Sequence, residues 1–320
     1  MIPVQSMVYV TLRCNSRCSY CSIWRDERCR ATPDANPEDV MRNLRALKKL
    51  GVKAIDFTGG EPLLHRDLPD ILREAKRLRL RTSVVTSGIL YPQRAAELRG
   101  LADTLVFSLD TLDAEEYRRI RGIDGLETVL ESIDLAIATG QRPEINFTVT
   151  NENVGNLETL ARFAREKRIL LKINPVFSYF ENEALDRSGL EHIRSFFRRP
   201  YIYVNLAKLR LIERGGNDPR KPVCKAVSST LVISPDNHLI VPCFHHELQR
   251  FEIRDNLVEL YRSDEVVAYR AMQGRWPFCK GCTIWCYLVP SFLYSANRLF
   301  FLNLLSGMKY ARDRCRRSIS

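Results

Sequence analysis

Three cysteines near the start of the sequence constrain this chain more than any other feature. Cys14, Cys18 and Cys21 follow an apolar, strand-like stretch with the spacing C-x3-C-x2-C. Three thiolates are one short of the four ligands that a structural zinc ion or a four-cysteine cluster takes, so one coordination position stays open. No secretory signal peptide is recognisable ahead of them, which favours metal ligation over disulfides and predicts a cytoplasmic protein. An iron site with an open coordination position indicates a catalytic role.

The sequence around these cysteines, RCNSRCSYC, resembles the signature of the radical S-adenosylmethionine (SAM) enzymes, including an aromatic residue, Tyr20, directly before the third cysteine. The resemblance implies a [4Fe-4S] cluster held by Cys14, Cys18 and Cys21, with SAM chelating the fourth iron. An electron from the cluster would then split SAM to methionine and a 5′-deoxyadenosyl radical, which abstracts a substrate hydrogen. Structural thiols, or part of a zinc site, are the alternative interpretation of the three cysteines.

Apolar, strand-like stretches alternate with amphipathic, helical ones over the first 180 residues. This alternation predicts βα units around a parallel sheet, and therefore the α/β fold class. The units number about six, in agreement with the partial (β/α)6 barrel that the resemblance implies. Because ligands of parallel α/β sheets bind at the C-terminal ends of the strands, we examined the motifs at those ends.

The sequence TGGEP ends the second predicted strand and resembles the motif that receives the methionyl ammonium group of SAM in this family. The resemblance implies cofactor-binding roles for Gly59, Gly60 and Glu61, and also for Tyr20. Two glycines would let the backbone approach the ligand closely, and a buried carboxylate would suit a cation.

Polar residues also follow the third and fourth predicted strands. Ser87 lies at a position where enzymes of this family often have a polar residue that faces the ribose of the cofactor. A turn residue or a helix N-cap is an equal alternative for Ser87. Ser108 and Arg121 match the arrangement in which related enzymes hold the cofactor's carboxylate group. Arg118 and Arg119 are close by, and Arg121 is the preferred choice among the three arginines.

A second group of cysteines lies far along the chain. Cys224 and Cys243 are at the outer ends of a predicted hairpin, and Cys279 and Cys282 form a C-x2-C pair. This pattern resembles the Twitch or truncated SPASM extension of the radical SAM enzymes, which implies an auxiliary [4Fe-4S] cluster with these four ligands. Cys286 would be spare or a replacement ligand. A four-cysteine zinc site is the alternative.

Three regions follow from these motifs. We expect the radical SAM core in residues 1–210, the β-hairpin and helix of the iron-sulfur extension in residues 222–286, and an apolar, then basic, tail in residues 287–320. The basic stretch RLIERGGNDPR is predicted to be the linker between the first two regions.

The tail is predicted to form an amphipathic helix. A broad apolar face followed by a basic cluster is typical of a helix that lies on a membrane surface. A helix packed across the barrel or into a dimer interface is an equal alternative, and a membrane-spanning helix is disfavoured by the polar interruptions. The polar stripe is predicted to contain Ser291, Ser295, Arg298, Ser306 and Lys309, and the apolar face Phe292, Leu299, Phe300, Leu302, Leu304 and Leu305.

These patterns predict an enzyme that cleaves SAM reductively and abstracts hydrogen from a substrate carbon, assisted by an auxiliary cluster. Because of the tail, we expect a hydrophobic or lipid-linked substrate and peripheral contact of residues 287–320 with a membrane. The alternatives are maturation of a ribosomal peptide, biosynthesis of a nucleotide- or sugar-derived natural product, and a non-catalytic metal-binding scaffold. No particular catalytic acid or base is identifiable. The sequence does not distinguish an oxidoreductase from a bond-forming enzyme.

The partners follow from chemistry and charge. The resemblance implies an electron donor such as flavodoxin or ferredoxin. The net charge of +11 favours an anionic partner. Basic residues without interleaved aromatic ones, and without a nucleic-acid-binding fold signature, disfavour nucleic acid.

Overall fold

One continuous β-sheet runs through the protein. The computed structural model describes residues 1–177 and 182–316. The strands, β1 to β10 in chain order, are Gln5–Thr11, Ala54–Gly59, Arg81–Thr86, Thr104–Ser108, Glu144–Val149, Leu170–Pro175, Ile202–Tyr203, Thr230–Ile233, His238–Val241 and Gln249–Glu252. They hydrogen-bond in the order β10-β9-β8-β1-β2-β3-β4-β5-β6-β7.

Helices alternate with the strands over most of the chain. From β1 to β7 each strand pairs in parallel with the next, so the intervening helices connect parallel neighbours. The predicted α/β class with a parallel sheet is confirmed. The helices, α1 to α14 in chain order, are Glu27–Ala31, Pro37–Leu50, Leu68–Arg77, Tyr91–Leu98, Ala114–Arg121, Leu126–Ala138, Leu157–Glu166, Arg187–Ser195, Leu206–Glu213, Ala226–Ser229, Leu257–Arg262, Asp264–Met272, Trp285–Ser291 and Arg298–Cys315.

The first long helix, α2, shows how local sequence sets these elements. The Asn36 side chain accepts hydrogen bonds from backbone N–H groups of the first turn, and Pro37 occupies a position where no helical N–H is needed. Gly51 ends the helix in the left-handed conformation with a φ of 95°. Leu44 and Leu47 are fully buried on the face that covers the sheet. The cap residues therefore fix where the chain turns into β2.

The two faces of the sheet differ in polarity. In β2, Ile55 and Phe57 are completely buried in the layer between sheet and helices, whereas Asp56 and Thr58 are only partly buried on the opposite face. Because side chains alternate along a strand, this second face of the strands carries the polar residues. The sheet thus separates an apolar layer from a polar interior surface.

The cysteine-rich extension continues the same sheet. Strand β8 pairs in parallel with β1, from Gln5 opposite Thr230 to Val8 opposite Ile233. Strands β8 and β9 form the predicted antiparallel hairpin, with Asn237 at a φ of 58° in the turn. The proposed boundary between residues 210 and 222 therefore corresponds to no break in the sheet.

The C-terminal helix packs against the barrel through residues of both the predicted polar stripe and the predicted apolar face. Ser306 and Lys309 of the predicted polar stripe are buried, whereas Leu304 and Leu305 of the predicted apolar face are exposed. Phe292 and Leu299 of the apolar face are buried as well, and Arg298 of the polar stripe is exposed, so the packed side of the helix combines residues of both predicted faces. Across the described residues, no helix is both long and apolar enough to cross a membrane.

Candidate active site and auxiliary cysteine site

The loop that carries the first three cysteines leaves the end of β1 and is fixed to the end of α5. The backbone N–H of Arg17 donates to the carbonyl of Arg121 at 2.8 Å, and that of Ser19 donates to the carbonyl of Ile120 at 2.9 Å. Gly122 makes this approach feasible, because a Cβ there would lie 2.6 Å from the Arg17 carbonyl oxygen. These contacts fix the position of the loop relative to the barrel.

The three thiols of this loop are free and lie close enough to influence one another. Burial raises the pKa of Cys14 to about 12 and that of Cys21 to about 11, and the nearby Cys18 adds to both shifts. No group of three or more His, Cys, Asp or Glu side chains is arranged to hold a metal ion within residues 1–177 and 182–316. A [4Fe-4S] cluster is a different case, because each thiolate binds a different iron atom.

The two glycines of the TGGEP turn allow close contact between backbones. A Cβ at Gly59 would lie 1.8 Å from the carbonyl oxygen of Thr11, and one at Gly60 would lie 2.1 Å from that of Arg13. The backbone N–H of Gly60 donates to the Thr11 carbonyl at 2.9 Å. The two glycines therefore let the ends of β1 and β2 join, and their expected contact with a ligand stays a prediction.

Glu61 is almost completely buried, and protein groups already bind its carboxylate. It accepts hydrogen bonds from the N–H of Leu63 at 3.0 Å, the hydroxyl of Thr86 at 2.7 Å and the N–H of Ser87 at 2.6 Å. Burial raises the pKa of Glu61 despite these bonds. The Ser87 hydroxyl in turn donates to the side-chain oxygen of Asn15 in the cysteine loop at 3.3 Å. Glu61 thus connects the ends of β2 and β3 directly below that loop.

Arg121 forms a buried ion pair beside the cysteines. Its guanidinium lies 2.7 Å from the fully buried carboxylate of Asp110 and 3.6 Å from the sulfur of Cys18. Asp110 also accepts hydrogen bonds from the hydroxyl of Tyr20 and the N–H of Thr148, both at 2.9 Å. Burial alone would lower the pKa of Arg121, but Asp110 together with Tyr20, Cys18 and Tyr117 outweighs this effect and holds that pKa well above its usual value.

The structure therefore brings Tyr20 and Arg121 together through Asp110. Ser108 is buried two residues before Asp110, at the end of β4. We did not assign Asp110 a role from the sequence, although an acidic residue at the end of a parallel strand was a usable signal. Thr86 and Asn15 were also missed, because their partners lie far away in the sequence.

Several buried polar atoms around the cysteine loop have no hydrogen-bond partner among the described residues. They include Nε of Arg121, Nδ2 of Asn15 and the hydroxyl of Ser16. Buried donors in folded proteins are normally satisfied. These donors, next to three thiols, fit the carboxylate group of a ligand that binds beside an open iron site.

A cavity of about 230 Å³ opens next to this loop, at the C-terminal ends of the strands. This is the end at which parallel α/β sheets bind their ligands. Its lining includes Ser19, Tyr20, Ile120, Thr150, Asn151, Glu152, Asn153, Val176, Asn182 and Glu183.

The four cysteines expected in the auxiliary site come together. Cys224, Cys243, Cys279 and Cys282 line one small cavity, although they come from three separate stretches of the chain. Cys286 is not part of that lining. Its thiol lies on α13, where burial raises its pKa and where Asp56 and Lys208 of the interior surface are electrostatic neighbours.

Asn217 connects the stretch of Cys224 with that of Cys279 and Cys282, and sequence reasoning missed it. Its side-chain amide donates to the carbonyls of Gly274 and Cys279 at 2.9 and 3.1 Å, and its side-chain oxygen accepts from the N–H groups of Val223 and Cys224 at 2.9 and 3.1 Å. Its backbone exchanges two more hydrogen bonds with the C-x2-C loop. The stretch predicted to be a linker is therefore part of the auxiliary site.

The polar interior surface contains a buried lysine. Lys208 is 3% exposed, and its side-chain nitrogen donates to the side-chain oxygen of Asn174 at 3.3 Å and lies 5.1 Å from the ring centre of Trp285. Burial lowers its pKa, and no carboxylate of the described residues counteracts that effect. By contrast, Lys172 forms an ion pair with Glu144 at 2.7 Å.

Comparison with known proteins identifies the family. The sequence profile described as the Radical SAM superfamily matches residues 8–164. The probable GTP 3',8-cyclase of Methanosarcina mazei is 34% identical over 276 residues, which cover 79% of this chain and 79% of that protein. The chain belongs to the radical SAM superfamily. The probable GTP 3',8-cyclase of Sulfurisphaera tokodaii is a further relative of this radical SAM enzyme, 29% identical over 78% of this chain and 84% of that protein.

Solved structures agree with this assignment at the level of the fold. Streptococcus suis SuiB bound to S-adenosylmethionine has a TM-score of 0.68 at 17% identity, covering 92% of this chain and 73% of that chain. The SAM-bound enzyme anSMEcpe has a TM-score of 0.67 at 16% identity, covering 98% and 94% of the two chains. The expectation of a radical SAM enzyme is confirmed. Enzymes of this superfamily use a [4Fe-4S] cluster, SAM, a reductant and a small-molecule substrate.

Proposed function

We propose that this enzyme holds its SAM-binding [4Fe-4S] cluster with Cys14, Cys18 and Cys21. When bound, the cluster and SAM supply a 5′-deoxyadenosyl radical that abstracts hydrogen from a substrate carbon. The observation that carries this proposal is the position of the three-thiol loop, which is hydrogen-bonded to the end of α5 beside orphaned buried donors. Four cysteines would close such a cluster, whereas three leave one iron accessible.

The neighbouring residues then have distinct roles. Arg121 and Ser108 would bind the carboxylate of SAM, because Arg121 still has a free buried Nε donor next to its ion pair with Asp110. Tyr20 keeps Asp110 in place through its hydroxyl. The TGGEP turn would receive the ammonium group, and Ser87 would face the ribose.

We propose that Cys224, Cys243, Cys279 and Cys282 hold an auxiliary [4Fe-4S] cluster. Support comes from their convergence on one cavity. Four thiolates satisfy every iron of such a cluster and leave no position for substrate. We infer that the auxiliary cluster serves electron transfer, not substrate binding.

A purine nucleotide is the substrate that we propose, with GTP as the candidate. The relatives are named GTP 3',8-cyclases, and the buried Lys208 amine on the interior surface, which has no carboxylate partner among the described residues, would gain its proton beside an anionic substrate. These relatives do not favour a lipid-linked substrate, a ribosomal peptide or a natural product derived from a nucleotide or sugar.

The test uses the anaerobically reconstituted enzyme with dithionite and SAM, with and without GTP. We expect GTP to increase the formation of 5′-deoxyadenosine and to be consumed with it, both followed by liquid chromatography and mass spectrometry. Replacement of the three N-terminal cysteines by Ala should abolish 5′-deoxyadenosine. Lys208→Met should keep slow SAM cleavage but lose the stimulation by GTP.

The outcomes separate the two parts of the proposal. Formation of 5′-deoxyadenosine without any loss of GTP would reject GTP and retain radical chemistry. If 5′-deoxyadenosine does not form in an enzyme that contains its full complement of iron, the radical activity itself is refuted.

A further inference from the structure

Helix α14 is bound to the protein by its polar side. Ser306 and Asp313 are fully buried, and Lys309 is 8% exposed. The ammonium group of Lys309 donates to the carbonyls of Arg199 and Ile202 at 2.9 and 2.6 Å and pairs with Asp313 at 2.6 Å. The Ser306 hydroxyl accepts from the first backbone N–H of α9 at 3.0 Å. These bonds fix the rotation of the helix about its axis.

That rotation leaves four large apolar side chains of α14 facing outward, whereas Leu299 is buried. Phe301 is 62% exposed, Leu304 48%, Leu305 44% and Met308 55%. Their spacing places all four on one face of the helix. We call these four residues the outer stripe. Large apolar side chains that cluster on a surface mark a contact with another molecule or with a membrane.

The charges around the outer stripe have one sign. Arg298 lies at the start of α14, and Arg312 and Arg316 lie at its end, all three exposed. Asp313 is the only acidic residue of the helix, and it is buried against Lys309. The exposed surface of α14 is therefore apolar in the middle and positively charged at both ends.

This distribution of charge distinguishes between two molecules that could cover the outer stripe, a second copy of this chain and a lipid surface. A second copy of α14 packed on the outer stripe would bring arginines of the two copies together in either orientation, because both ends are basic. An anionic lipid surface offers complementary charge to the ends and an apolar interior to the middle. We propose that the outer stripe binds α14 to the surface of membranes that contain anionic lipids.

The contact lies parallel to the membrane. The polar side of α14 stays bonded to α9 and to the residues around β7, so only the outer stripe can enter the lipid. The proposal concerns this surface alone and holds for any substrate of the enzyme.

The test is flotation of the purified holoenzyme with vesicles. One set contains phosphatidylcholine alone, and the other contains equal parts of phosphatidylcholine and phosphatidylglycerol. We expect the enzyme to float with the anionic vesicles and to be released by salt, because screening weakens the attraction of the arginines. Replacing the four residues of the outer stripe by Gln should lower the bound fraction about tenfold.

A matched control comes from another helix. Val267 and Met272 of α12 are also exposed apolar residues, and Val267→Gln with Met272→Gln should leave flotation unchanged. Flotation of the outer-stripe variant at the wild-type level would overturn the proposal, as would a wild-type enzyme that never floats. If the wild type does not float but sediments as a dimer that the outer-stripe variant abolishes, a second copy is the occupant and the proposal is wrong.

Discussion

Replacement of Asn217 by Ala should remove the auxiliary cluster and leave the SAM-binding site intact. The side chain makes four hydrogen bonds to backbone groups of two of the three segments that carry the auxiliary cysteines. Each such bond contributes about 1 kcal/mol net. Losing all four therefore costs about 4 kcal/mol locally, a large part of the roughly 5–15 kcal/mol that stabilises a typical domain.

The assay is the iron and sulfide content of the anaerobically reconstituted variant, together with its urea unfolding curve. Two four-iron clusters give about eight irons per chain, and we expect about four in the variant. Asn43→Ala is the matched control, because Asn43 is also buried but its side chain makes one hydrogen bond, to Asn237 at 2.7 Å. The control should lose about 1 kcal/mol and no iron. An Asn217→Ala enzyme that retains about eight irons and wild-type stability would refute the reasoning.

Three further outcomes are expected. Changing all three cysteines of the N-terminal loop to Ala should leave about four irons per chain, measured by iron and sulfide analysis, and complete loss of iron would contradict the auxiliary cluster. Arg121→Met should cost about 3–5 kcal/mol in unfolding experiments, because it leaves the Asp110 carboxylate buried without a countercharge, and adding Asp110→Asn should restore part of that loss. Hydrogen bonds from Arg77 hold the pKa of Glu74 at about 2, so the stability they provide is complete above the unfolded pKa of about 4.3 and is lost as the pH falls towards 2. The stability difference between wild type and Glu74→Gln should therefore disappear near pH 2, whereas the exposed Glu131→Gln should show no such trend.

The sequence predicted those parts of the structure that depend on residues close together in the chain. Runs of apolar residues between amphipathic stretches predicted the parallel strands, since burial on both sides of β1 or β4 requires such runs. The hairpin between Cys224 and Cys243 was visible because Pro235, Asp236 and Asn237 favour a turn.

The parts that the sequence did not reveal depend on partners that are distant in the chain. Asp110 looked like a residue after a strand, and only the fold shows that it binds Arg121, Tyr20 and Thr148. Helical periodicity separated the two faces of α14 but could not say which face meets the barrel. That choice depends on the free carbonyls near β7, which Lys309 satisfies.

The two cysteine sites are connected by the strand they share. Strand β1 pairs with β2 on one side and with β8 on the other, and the N-terminal cysteine loop begins where β1 ends. On the same strand, the ring of Tyr9 stacks on that of Phe244, directly after Cys243, with 4.1 Å between the ring centroids. Because both sites are attached to one hydrogen-bonded strand, neither can shift along it without breaking the pairing with β2 or β8. The sheet itself therefore fixes the separation across which an electron would pass between the two proposed clusters.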